Sequence, residues 1–297
     1  MTGQEQDFSR LDRAGRAAAS LARSSRLAVT IALGAGLVLA WTILAAMAVR
    51  GAESRVGAGA PGDALLQGLP RMPLPQFLDR FFALCLAPAP LAGSAAVQVL
   101  ALVLMWFLMA VAAMLPSAAP MIRTYCEIAD TATIKNEPVV HPLVLVAGYL
   151  TTWVVASVAF AGLTLAASAL ASSGQMLDPI GGRAGAAALL IAGLYQFSGL
   201  KQTCLRKCRN PFSTLFANWS AKPARISRLG LEQGIWCLGC CWALMLVMLA
   251  VGATNILWMA LIGLFSLIEK QTSGSVPSRI AGAILLVWAT ALLVVSA

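Results

Sequence analysis

Long apolar stretches, separated by short clusters of charge, dominate the chain. The runs are continuous rather than alternating, and several exceed the ~18 residues that argue a membrane-spanning helix. Seven spans fit the pattern: Leu27–Val49, Leu91–Leu115, Pro142–Ala171, Ala184–Leu200, Leu231–Val251, Thr254–Ile268 and Arg279–Ser296. The expected fold is all-α, a polytopic helical membrane bundle of about seven transmembrane helices (roughly six to eight), since a β-barrel would alternate apolar and polar positions. The fifth and sixth spans form one apolar stretch broken only by Gly252-Ala253-Thr254-Asn255. One helix of that length would overshoot a ~30 Å hydrocarbon core, so a tight helical hairpin is expected there. Phe77–Leu86 is apolar but short and holds Asp79 and Arg80, which predicts an interfacial or re-entrant segment. Pro116 and Pro120 are expected to end the second span and shape a turn.

Composition agrees with this reading. The 297 residues are 59% hydrophobic and 11% charged, with mean hydropathy +0.81, whereas soluble domains carry about 25% charge. The net charge of +9 is not a nucleic-acid signal, because its meaning lies in its distribution between loops. With the N-terminus inside, sixteen of the 21 Lys and Arg fall on inner segments: Arg10 to Arg26, Arg123 and Lys135, the run from Lys201 to Arg228, and Lys270 with Arg279. The positive-inside rule then predicts a multi-pass protein of a bacterial inner membrane with a cytoplasmic N-terminus. The organisation expected is a leader (1–26), an uncleaved first anchor (27–49), an extracytoplasmic loop with the interfacial segment (50–90), a transmembrane core (91–270) and a final transmembrane helix (271–297). The first apolar run is longer than the ~7–15 residues of a signal-peptide core.

This topology gives the cysteines a shared level. Cys204 and Cys208 follow the inner end of the fourth span, and Cys237, Cys240 and Cys241 open the fifth. Cys204 and Cys208 are i, i+4 and share a helical face with Lys201; Cys237 and Cys241 repeat that spacing. The inner compartment is reducing, so free thiols rather than disulfides are expected. Thiolates suit Zn²⁺, Cu(I) or iron–sulfur clusters. Lys201, Arg206, Lys207 and Arg209 would offset thiolate charge and depress the thiol pKa values. The competing reading is packing, since cysteine is a small hydrophobe that sits well inside helices. Cys85 and Cys126 have no evident partners and read as packing residues. Met245, one turn beyond Cys241, extends a Cys–Met stripe that could pass Cu(I), although such stripes are more often core. His141, the single histidine, opens the third span and is an accessory ligand candidate. Tyr195 and Gln196 are polar groups inside an apolar span, suited to helix–helix hydrogen bonds or to lining a cavity. Glu269-Lys270 reads as a stop anchor or as an ion pair facing the site.

The chain holds no paired-carboxylate site, no Ser-His-Asp set and no phosphate-binding glycine loop, so it gives no positive sign of an enzyme. Four stretches carry a family resemblance: WFLMAVAAMLPSAAP (Trp106–Pro120), Gly148-Tyr149-Leu150 with Trp153, YQFSGLKQTCLRKCRNP (Tyr195–Pro211), and GIWCLGCCWALM (Gly234–Met245) continuing through GATNILWM to Glu269-Lys270. Over about Ala101 to Lys270 the chain resembles an uncharacterised bacterial domain-of-unknown-function family of predicted metal-binding integral membrane proteins. It departs from that pattern at Ala113 and Thr254, where methionine is expected. The resemblance implies an inner-membrane bundle with Cys204, Cys208, Cys237, Cys240 and Cys241 as metal ligands.

These observations lead to an integral membrane protein binding copper or zinc through thiolates at the cytoplasmic membrane face, in metal handling or metalloprotein assembly. Its expected partners are the lipid bilayer and a metalloprotein or metal chaperone, with no nucleic acid. The alternatives are a membrane thiol oxidoreductase, or a structural or assembly subunit whose cysteines only pack.

Overall fold

A computed structural model describes residues 25–54, 75–86, 95–135, 137–170, 182–251 and 255–295. The leader, most of the 50–90 loop and the break at 252–254 therefore lie outside the described residues. Ten helices are present among the described residues: α1 (Ser25–Ser54), α2 (Gln76–Leu86), α3 (Ala95–Ile134), α4 (Pro142–Leu170), α5 (Gly182–Gln196), α6 (Gly199–Arg209), α7 (Pro211–Ala217), α8 (Pro223–Val251), α9 (Ile256–Gln271) and α10 (Val276–Val295). The protein is all-α and polytopic.

Five of these helices, α1, α3, α4, α8 and α10, are long and apolar enough to cross a membrane. Their outward rows are apolar: Val155 and Val158 on α4, and Ile284 and Val287 on α10, are exposed. Such rows are expected of surfaces that face hydrocarbon. Two of the seven expected spans, the fourth and the sixth, form helices shorter than that crossing length. The fourth stops at Gln196, where Ser198 turns extended and its side chain accepts the Lys201 N–H to start α6. The sixth is a 16-residue helix, α9, whose Asn255 side chain accepts the Trp258 N–H. At 1.5 Å per residue, helices of about 15 residues fall short of the ~30 Å core.

The second span corrects the sequence reading. α3 runs through Pro116 and Pro120 to Ile134 without ending. A proline inside a helix removes one donor and frees the carbonyl four residues earlier. For Pro116 that carbonyl is Ala112, and Trp41 Nε1 of α1 donates to it at 3.2 Å. A neighbouring helix thus supplies the lost bond, as apolar surroundings require.

Close backbone packing brings α8 onto α4. Gly230 and Gly234 are four residues apart on α8; a Cβ on Gly230 would lie 2.1 Å from the Leu145 carbonyl oxygen, and one on Gly234 would lie 2.5 Å from Thr152 Oγ1. Small residues at this spacing let membrane helices approach closely. Thr152 Oγ1 then donates to the Leu231 carbonyl at 3.0 Å, and Trp106 Nε1 ties α3 to α4 through Thr164 Oγ1 at 2.9 Å. α2 is the short segment expected near Phe77–Leu86. It leans on α3, its Cys85 thiol donating to the Ala101 carbonyl, and Asp79 meets Arg50 at 3.1 Å.

Candidate functional site

The site is built where α6 and α9 cross α8. α8 begins eight residues earlier than its apolar run, so Cys237, Cys240 and Cys241 lie about halfway along it rather than in its first turns. Its extra turns carry charge, and Arg228 and Glu232 pair i, i+4 at 3.0 Å on the exposed face.

α6 presents Lys201, Cys204 and Leu205 inward. Its approach to α8 is set by Gly239, where a Cβ would lie 2.7 Å from Cys204 Sγ. Tyr195 fixes the same point from α5: its hydroxyl donates to the Gly239 carbonyl, and its ring meets Trp242 edge-on at 4.9 Å. One turn beyond Cys204, half-buried Cys208 reaches the thiol of Cys240, which also engages Cys237 and Cys241. Thiols from two helices therefore lie in one neighbourhood, Cys208 and Cys237 lining the same cavity and Cys204 packed against Gly239.

Two details shape that neighbourhood. Cys240 and Cys241 both turn their thiols onto the Cys237 carbonyl, at 3.0 Å each. Cys237 points the other way: its sulfur accepts from Lys270 Nζ at 3.0 Å and lies 3.2 Å from the Tyr149 hydroxyl. Lys270 also donates to Ser117 Oγ at 2.6 Å. Because the thiols diverge in this way, no group of three or more Cys, His, Asp or Glu among the described residues is arranged to hold a metal ion. A cavity of about 110 Å³ opens beside Cys208 and Cys237, with Lys270, Arg209, Gln233 and Ser117 in its wall.

The basic residues of α6 act differently from expectation. Arg206 and Lys207 are exposed. Lys201 is fully buried, its Nζ 2.9 Å from Glu269 Oε2. The contact is a buried ion pair. Ser278 Oγ donates to the other carboxylate oxygen at 2.6 Å, and Arg209 donates twice to the Glu269 carbonyl, at 3.2 and 2.8 Å. The cation that touches a thiol is Lys270. The expected depression of the α6 thiols is reversed: burial pushes the Cys204 thiol above the ordinary cysteine range. The hydrogen bond that Cys208 donates to the Cys240 sulfur, with burial, holds Cys208 well above it.

The remaining sequence candidates lie as follows. Met245 is buried on α8. His141 is exposed at the start of α4, where Nδ1 accepts the Leu143 N–H. Gln196 is fully buried against Gly282 of α10, and neither amide atom has a hydrogen-bond partner among the described residues. Sequence reasoning did not reach Ser117, Tyr149 and Gln233, which come from three different helices. Tyr149 lay in a quoted motif, but no spacing rule points it at Cys237.

No curated protein and no solved structure matches the chain. A family described as PpoB2, copper chaperone, matches residues 103–292, from within α3 to near the end of α10. That match corrects the expected relationship to an uncharacterised family, and because it spans more than half of the 297 residues, the chain belongs to the PpoB2 family of copper chaperones.

Proposed function

We propose that the protein holds Cu(I) in transit within the membrane, using Cys208 of α6 and Cys237 of α8 as its thiolate pair, with Cys240 and Cys241 as the reserve of soft donors behind them. The observation that carries this reading is the meeting of thiols from two helices beside the Lys270 ammonium. Cu(I) is a soft ion for which thiolates are good donors. It accepts two ligands, so it does not require the enclosing set that a tetrahedral Zn²⁺ site needs. Two thiolates, one Cu(I) and one ammonium sum to zero charge, which suits a low-dielectric interior. Family membership favours copper over zinc. The copper passes to a metalloprotein or metal-chaperone partner.

The topology we assign is that of the charge distribution, in a bacterial inner membrane with the N-terminus cytoplasmic. That topology requires the short helices α5 and α9 to cross as well, with the bilayer thinned around them.

A packing role is the competing reading, and one observation favours it: Cys240 and Cys241 satisfy their thiols on the backbone of their own helix, as inert buried cysteines do. Elemental analysis separates the two. Anaerobically purified, detergent-solubilised protein loaded with Cu(I) should retain about one copper per chain, and a Cys208→Ser/Cys237→Ser variant should lose it. Wild-type protein that retains none would leave the packing reading standing.

A further inference from the structure

The cavity beside Cys208 and Cys237 is walled by donors. Lys270 uses two of its three ammonium protons on Ser117 and Cys237. Arg209 uses two of its five donors on the Glu269 carbonyl. Gln233 is 4% exposed, and its Nε2 has no hydrogen-bond partner among the described residues. A buried donor left unpaired carries its full desolvation penalty, so a ligand oxygen there would relieve it. No Asp or Glu is among the residues that line the cavity. A bare cation would therefore meet two positive side chains and no carboxylate, whereas an anion would find three donor groups. At roughly 10–15 Å³ per water on the same measure, about 110 Å³ holds a group of several heavy atoms but no peptide.

We propose that this cavity recognises the carboxylate of a small thiol that carries the copper in, with Gln233, Lys270 and Arg209 as the carboxylate's donors. The inference rests on the copper-handling reading above. Placing the carboxylate at the donors sets the carrier's sulfur, with its copper, against Cys208 and Cys237. Transfer is then ligand exchange without redox change. Each carrier Cu–S bond breaks as a Cu–S bond to a cysteine forms, and each cysteine's proton leaves on the departing carrier thiol. Copper remains Cu(I), and for two carrier thiolates two thiols are released.

Three small thiols of similar size but different charge test this: 3-mercaptopropionate, 2-mercaptoethanol and cysteamine. Equilibrium dialysis of each against the copper-free full chain in detergent should show 3-mercaptopropionate binding about tenfold more tightly than the other two, the difference of one hydrogen bond to a charged group. Cu(I) presented on each thiol should load in the same order. Gln233→Leu should erase most of the preference, and so should the isosteric Gln233→Glu, whose carboxylate would take up the donors of Lys270 and Arg209; thermal unfolding of each variant checks that it is folded. Equal binding of all three thiols, with copper still loading, would overturn the carrier site and leave copper handling intact. Failure to load from any of them would remove copper handling and the carrier site together.

Discussion

Glu269→Ala offers a direct test of how the site's helices are locked. Glu269 holds two neighbouring helices, α6 and α10, through three separate atoms. One carboxylate oxygen lies 2.9 Å from Lys201 of α6, the other accepts from Ser278 of α10 at 2.6 Å, and its backbone carbonyl takes both Arg209 bonds. The two side chains of the ion pair are 0% and 2% exposed, so screening by solvent is slight. Alanine leaves the Lys201 ammonium buried without its carboxylate partner, 5.9 Å from the Phe265 ring centroid. Removing one member of a buried pair costs about 3–5 kcal/mol, and the Ser278 bond adds about 1.5–3 kcal/mol as a bond to a charged group. These terms overlap, because both count the lost carboxylate, so the expected loss is roughly 3–5 kcal/mol. That is about a hundred- to several-thousand-fold in the folding equilibrium. Unfolding in mixed micelles of increasing denaturing detergent measures it. The double variant Lys201→Met/Glu269→Leu removes both charges and should recover most of the loss, since apolar replacements of a buried pair are often neutral. A single variant within ~0.5 kcal/mol of wild type, or a double variant worse than the single, would refute the reasoning.

Two further outcomes follow from the packing and the thiols. Gly230→Ala should destabilise by at least the ~1–3 kcal/mol of overpacking, because its Cβ would meet the Leu145 carbonyl, a rigid backbone atom, at 2.1 Å. Gly36→Ala on α1 has open space around its Cβ and should gain up to ~1 kcal/mol of helix propensity; thermal unfolding of both in detergent compares them directly. Cys208 is held protonated by the Cys240 hydrogen bond and by burial, its pKa well above the ordinary cysteine range. At pH 7 its thiolate fraction is therefore below that of a free cysteine. Maleimide labelling of metal-free protein, mapped by mass spectrometry, should keep rising about tenfold per pH unit past pH 9. A plateau at or below about pH 8 would show that the basic residues of α6 dominate after all.

Much of the bundle was legible because lipid-facing helices must be apolar along their whole length. α4 and α10 lie within a few residues of the spans drawn from hydropathy. α3 was misread at Pro116 because the bond that replaces the lost one comes from Trp41, 71 positions away, and no local rule reports it. α8 was entered late because its first turns are polar, held by Arg228 and Glu232 and by glycine contacts with α4. Spacing placed Cys204 with Cys208 and Cys237 with Cys241 on shared helical faces; that Cys208 and Cys237 line one cavity is a matter of tertiary packing. Lys201 shares the face of Cys204 and Cys208, as the i, i+4 argument required, yet its charge goes to Glu269. Helical spacing tells which residues share a face, and only tertiary packing tells what that face meets.

The two charges at the end of α9 explain why cation and thiol end up together without a carboxylate between them. Successive residues on a helix are rotated by about 100°, so Glu269 and Lys270 face different neighbours. Glu269 turns to α6 and α10 and neutralises Lys201. Lys270 turns to α3 and α8 and is left to Ser117 and Cys237. Had Glu269 faced the same side, its carboxylate would have claimed the Lys270 ammonium and brought a hard oxygen to the soft thiols, weakening selection for Cu(I). The separation also couples two events. A copper that draws Cys237 away from Lys270 changes the contacts of the same short helix that anchors Lys201 and Arg209, and Arg209 stands at the cavity wall. On the proposed copper-handling reading, loading at the thiols and the setting of the cavity would act through one element, α9, and Glu269→Ala should alter copper transfer as well as stability even though the residue touches no thiol.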